Sequence, residues 1–114
     1  MPRSVDSGEL VILNCAAPRE KMWGILLRLD EVGAVVRGLE LGAVEDWIRQ
    51  HLSGAEPLLG PSTFFVPMHR VVRIDLDESS GAAEGYGDRF AAAGGGDIRL
   101  ALMEETPDGS ERPS

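Results

Sequence analysis

The run Thr63 to Asp77, TFFVPMHRVVRIDLD, constrains this chain more than any other stretch. It holds two strand-like segments hinged at Pro67, which ends the first because a proline cannot donate a ladder hydrogen bond. From Val71 the second alternates cleanly, which predicts Val72, Ile74 and Leu76 inward and Arg73, Asp75 and Asp77 outward. Read with the strand-like runs before it, this pair argues for a small closed or nearly closed β-structure.

Those earlier runs are three. Glu9–Cys15, ELVILNC, is aliphatic on both faces. Met22–Asp30 places Trp23, Ile25, Leu27 and Leu29 on one face, expected to point into the core, with Gly24 opposite, where a missing side chain permits bending or close approach of another backbone. The turn Glu31-Val32-Gly33 leads into Ala34–Leu41, the hairpin partner, with Gly38 a second bending point. Helical spacing then takes over: Val44, Trp47, Ile48, His51 and Leu52 form one apolar stripe, with Glu45 and Asp46 expected in the first turn. Ser53–Ser62 has the Gly and Pro punctuation of a loop.

After Asp77 the composition shifts. Residues 1–77 carry eight Lys/Arg against eleven Asp/Glu, and residues 78–114 three against eight, so the strand-rich part is near −3 and the remainder near −5 within a total of −8. That balance weighs against high-affinity DNA or RNA binding, which depends on neutralising phosphates. Four segments follow: a flexible end 1–8, a small β-barrel domain 9–77, a linker with a C-terminal helical extension 78–105, and a disordered tail 106–114. In the extension Tyr86 and Phe90 share a helical face. Asp97 can cap a last segment through Met103 whose spacing suits helix and strand almost equally. No apolar stretch approaches the roughly 20 residues of a membrane span. MPRSVDSGEL lacks the apolar centre of a signal peptide, which places the chain in the cytoplasm with no membrane partner.

Few residues are equipped for chemistry. His69 and Arg70 lead, as an imidazole titrating near neutrality beside a guanidinium able to grip an anion; the competing reading has both fixing the turn between the strands. Arg19 and Lys21 flank Glu20 in a polar loop and complete a tentative binding set. His51 reads as a half-buried core histidine, Cys15 as a buried inert thiol, and Asp75, Asp77 and Glu78 as a solvated edge. No metal-ligand cluster, catalytic constellation or phosphate loop is spelled out, and no cofactor is implied. Phe64, Phe65, Val66 and Met68 cannot all face one small core, so together with the two-faced first strand they form a tentative interface.

The five strands in order, the long second strand MWGILLRLD, its hairpin into AVVRGLEL and the closing pair TFFVPMHRVVRIDLD resemble the Sm and Hfq-like small barrels over roughly Glu9 to Asp77. The chain departs from them in a helix between the third and fourth strands, in lacking the Asn and Gly residues of the Sm RNA pocket, and in its acidic C-terminal part. VPMHRVVRI also resembles the IPxHRI signature of a small RNA-repair-associated domain family, and EKMWGILL and VEDW resemble runs in a family of small bacterial proteins from which no activity carries over. The expected fold is a mainly β, α+β domain: a five-stranded Sm/SH3-like small barrel with an inserted helix and a C-terminal helical extension. The expected function is a non-enzymatic, self-associating interaction module. The alternatives are weak Sm-like RNA binding through Arg19, Lys21, His69 and Arg70, and a small-molecule site or enzyme using His69. A homo-oligomer is the expected partner, RNA the secondary one, and DNA is not expected.

Overall fold

In a computed structural model that describes residues 3–56 and 59–104, the elements run β1 (Leu10–Cys15), β2 (Glu20–Leu29), β3 (Gly33–Glu40), α1 (Leu41–Ser53), β4 (Ser62–Pro67), a 3-10 turn (Met68–Arg70), β5 (Val71–Leu76), α2 (Tyr86–Ala92) and α3 (Ile98–Met103). The strands form one antiparallel sheet in the order β4-β3-β2-β1-β5. Its two edge strands are therefore consecutive in sequence and joined by three residues. At one end of that turn Met68 N donates to Val32 O at 2.8 Å, just past the end of β2; at the other, Arg70 O accepts from Ala16 N at 2.9 Å, just before its start. A straight strand as long as β2 would hold its ends about 30 Å apart, whereas three residues reach only about 10 Å. The sheet is curled.

Gly24 and the residues around Leu27 make the curl possible. Gly24 and Gly38 stand directly opposite each other in β2 and β3. A Cβ on Gly24 would lie 2.2 Å from Arg37 O, and one on Gly38 would lie 1.9 Å from Trp23 O, so the two backbones approach as only glycines allow. Further along, the β2–β3 register shifts between Leu26 and Arg28, a bulge that adds twist.

The same bulge interrupts the alternation read from β2. Trp23 and Ile25 are buried as expected, but Leu27 and Leu29, past the glycine and at the bulge, are 36% and 39% exposed. A second register shift, where Asn14 pairs with Arg73 but Cys15 with Val71, skips Val72. Val72 is thrown outward, 67% exposed, and Val71 takes its place inside beside Ile74 and Leu76.

The expected single core is two. Val11, Leu13, Cys15, Leu26, Ala34, Val36 and Val66 fill the inside of the curl. Leu10, Trp23, Ile25 and Leu39 on the other face meet Val44, Trp47 and Ile48 of α1, Phe90 of α2 and Ile98, Ala101 and Leu102 of α3. The apolar second face of β1 is thus covered by helices and is not a surface for a partner. The segment read as a C-terminal extension is part of this core: Phe90, Ile98 and Leu102 are at most 1% exposed. Ile98–Met103 is a helix, with Asp97 Oδ1 accepting from Arg99 N at 3.0 Å as its cap.

Helix α1 starts three residues before the apolar stripe, so Glu45 and Asp46 fall beyond the first turn rather than in it. They pair instead with Arg89 and Arg49. The helix stops at Gly54, whose φ of 81° is open to glycine, with Gly54 N and Ala55 N donating to the carbonyls of His51 and Gln50. In the expected flexible end, Gly8 N donates to Leu26 O at 2.7 Å; residues 1–2 and the expected disordered tail 106–114 lie outside the described residues.

Candidate functional site

The residues of the tentative binding set come together where the β1–β2 connection meets the 3-10 turn. β1 ends at Cys15 and the chain reverses through Ala16–Arg19, with Ala17 at φ 56°, a left-handed conformation that costs a non-glycine residue on the order of 1 kcal/mol. Arg70 holds that reversal. Its Nε donates to Ala16 O at 3.1 Å, and its terminal nitrogen donates to Pro18 O at 2.7 Å and to Glu20 Oε2 at 2.8 Å. The side chain is only 20% exposed, and its hydrogen-bonding groups are aimed at its own protein. The turn-fixing reading therefore describes Arg70. His69, the neighbouring residue, is exposed and has no hydrogen-bond or ion-pair partner among the described residues. His51 is half-buried against the edges of the Trp47 and Phe90 pair, with ring centroids at 5.7 and 5.6 Å, as the stripe implied.

Beside the Arg70 contacts lies a groove of about 380 Å³, bounded by the β1–β2 connection and by Val72 of β5. Arg19 and Lys21 both line it, exposed and without a charge partner among the described residues. Glu20, between them, is neutralised by Arg70. Asn14, also on the wall, donates to Asp75 Oδ2 at 3.0 Å, and Asp75 accepts from Arg73 at 2.8 Å. Cys15, on the groove floor, is 4% exposed; burial pushes its thiol above the usual range, while the Arg70 charge pulls the other way. A thiol so placed is protonated and unreactive at neutral pH.

On the opposite edge, β4 separates its two phenylalanines. Register puts Phe64 opposite Val36 and Phe65 opposite Val35. Phe64 packs inside the curl with Val66, which is 5% exposed and so belongs to the core, not to an outer contact surface. Phe65 points the other way and is 47% exposed, its ring lying against Gly33, where a Cβ would meet it at 2.7 Å. Met68 is half-buried in the turn.

Two residues with large structural roles escape sequence reading. Asp77, taken as part of a solvated edge, is 7% exposed and accepts from Tyr86 N and Gly87 N, both at 2.9 Å, tying the start of α2 to the end of β5. Ser79 supports it, its hydroxyl accepting from Gly85 N and donating to Asp88. The glycines flanking Tyr86 were the available signal: a Cβ on Gly87 would lie 2.8 Å from Leu10 Cδ1, so the backbone there approaches β1 more closely than a side chain permits. Arg37 reaches across to α3, donating to Leu102 O at 2.7 Å and Glu104 O at 3.1 Å, a cation at a helix C-terminus.

Among the described residues, no group of three or more His, Cys, Asp or Glu is placed to hold a metal ion, and no helix is long and apolar enough to cross a membrane. Family models, curated proteins and solved structures were all compared with the chain, and none matches it.

Proposed function

We propose that this chain is a non-enzymatic module with a small Sm-like barrel architecture that associates with itself through β4. The observation that carries the reading is Phe65, about half exposed on a strand whose outer edge has no partner among the described residues. An uncovered aromatic on an unpaired edge is a pairing hazard unless something blocks or occupies it.

The two edges are finished differently. β5 carries a bulge at Val72 and the charged residues Arg73 and Asp75, both standard obstacles to strand addition. β4, Ser62–Pro67, carries no charge. Pairing is thus favoured between two copies of β4 about a two-fold axis, over a head-to-tail ring through β4 and β5. Each Phe65 would then be covered next to the other, alongside Val32, which is 66% exposed at the nearby hairpin tip. Architecture supports the same reading: edge strands joined by a three-residue turn, with a bent second strand, are the features that resemble the Sm-like barrels.

Light scattering of the full chain at micromolar concentration tests it. The expected mass is near twice 12.3 kDa, falling to the monomer in Phe65→Asp with the circular dichroism spectrum unchanged. A wild type that stays at 12.3 kDa removes the proposal.

A further inference from the structure

The distribution of partnered and unpartnered cations points to a second site. Eight of the described arginines are held by a carboxylate or by main-chain carbonyls: Arg37 and Arg70 in the ways given above, and the others in ion pairs such as Arg3 with Glu9, Arg28 with Asp30 and Arg99 with Asp97. The two remaining described cations are Arg19 and Lys21, and both line one groove. Arg19 and Lys21 stand two residues apart in the chain, so this positive charge is local within a chain of net charge −8.

The surroundings keep that charge available. Glu20, which lines the groove, is occupied by Arg70, and Asp75, bonded to the lining Asn14, is occupied by Arg73. Besides the two cations the groove is lined by Ala16, the edge of Cys15 and Val72, which the β5 bulge turns outward to 67% exposure, together with the polar Asn14 and Glu20. Its volume of about 380 Å³ falls in the range of small-ligand sites. An arginine fork and a lysine ammonium beside Ala16 and Val72 suit an anionic head on a short apolar body.

We infer that this groove binds a small organic anion, a phosphate monoester or a carboxylate carried on an apolar group. The site is separate from the β4 surface. Two cations release too few counterions to hold a nucleic acid against the chain's overall negative charge, so a polyanion is disfavoured.

Phenyl phosphate is the probe, titrated into the ¹⁵N-labelled full chain and followed by amide shifts, with inorganic phosphate and phenol as half-ligand controls. The expected result is saturable movement of the 15–21 and Val72 amides with a Kd of about 1 mM or below, weaker for either control. Affinity should drop about tenfold or more in Arg19→Ala/Lys21→Ala, the loss of roughly 1.4 kcal/mol or more. Val72→Asp, which leaves both cations in place but puts a carboxylate on the floor, should abolish binding as well. A benzoate arm separates the head groups: phosphate preference assigns a phosphate ester, and equal affinity a carboxylate-tolerant site. No saturation at about ten times that concentration, or binding that survives the double substitution, overturns the proposal. So does retention of labelled oligoribonucleotide at about 150 mM salt without any response to phenyl phosphate, which would assign the groove to RNA instead.

Discussion

Substituting alanine for Gly38 tests the curl of the sheet directly. The added Cβ would sit 1.9 Å from Trp23 O, 2.6 Å from Gly24 Cα and 2.8 Å from Trp23 C. All three are backbone atoms, so no side-chain rotation relieves the overlap; β2 and β3 must separate by about 1 Å at their crossing in an interior packed as densely as a crystal. Overpacking of that kind costs about 1–3 kcal/mol, and stretching the neighbouring ladder hydrogen bonds adds about 1 kcal/mol. The reduced freedom of the unfolded chain returns about 0.4–1 kcal/mol. The net loss is about 1–4 kcal/mol, a large part of the 5–15 kcal/mol typical of a domain. Urea unfolding followed by the fluorescence of Trp23 and Trp47 should show the midpoint falling by about 1–2 M. Gly42→Ala is the control: this glycine lies in α1 with nothing within 4 Å of its would-be Cβ, so alanine there should stabilise by up to about 1 kcal/mol. If Gly38→Ala costs under about 0.5 kcal/mol, or behaves like the control, the close crossing is not what shapes the sheet.

Two further outcomes follow from the turns. The Asp30 carboxylate accepts from Val32 N at 2.9 Å and Gly33 N at 3.3 Å, which with Arg28 nearby holds its pKa below the ordinary carboxylate value. A depressed folded pKa means that its support of the hairpin is present above the unfolded value of about 3.9 and lost as pH falls through the lower folded one; carboxyl-detected NMR should find Asp30 titrating below the ordinary aspartate value, and titration at or above that value refutes the turn's role. Arg70→Met should cost about 1–3 kcal/mol by leaving the Ala16 and Pro18 carbonyls without their donor, whereas Arg19→Met should be close to neutral in the same urea experiment, and equal effects would mean that the Arg70 guanidinium does not hold the turn.

Strand identity was legible because each strand is bounded by a glycine, a proline or a polar turn, and because the stripe of Val44, Trp47 and Ile48 has only one helical reading. What alternation does not carry is a change of parity. Val72 looks inward from Ile74 and Leu76, and only the pairing with β1, which skips it, turns it out. Leu27 fails for the same reason at the other bulge. The two-faced apolar character of β1 was equally visible, but it fits an interface and a sheet covered on both sides alike; the choice depended on where α2 and α3 pack, and their short glycine-rich sequences do not fix that. At the candidate site, the grouping of the 16–21 loop with the 68–70 turn follows from the strand order. That Arg70 is consumed by Ala16, Pro18 and Glu20 while Arg19 and Lys21 are left over is a matter of side-chain reach, which spacing in the sequence does not encode.

The distribution of aromatic rings explains why β4 is the surface left over. Inside the curl there is room for Val, Leu, Ala and Cys side chains and a glycine crossing, with Phe64 only partly buried at the margin. The large rings are on the other face, where Trp23 meets Trp47 at 6.0 Å and Tyr86 at 5.9 Å, and Trp47 stacks on Phe90 at 6.5 Å. The three helices are what make that face a core. Their cover extends over Leu10, Trp23, Ile25 and Leu39 and does not reach the far end of β3, where Val35 and its β4 partner Phe65 stand on the same side of the sheet. Phe65 is thus a member of the aromatic face over which no helix packs among the described residues. An apolar ring resting on Gly33 with half its surface in water would gain most from a cover of the same kind, and the β4 edge of a second copy would bring one Phe65 to the other.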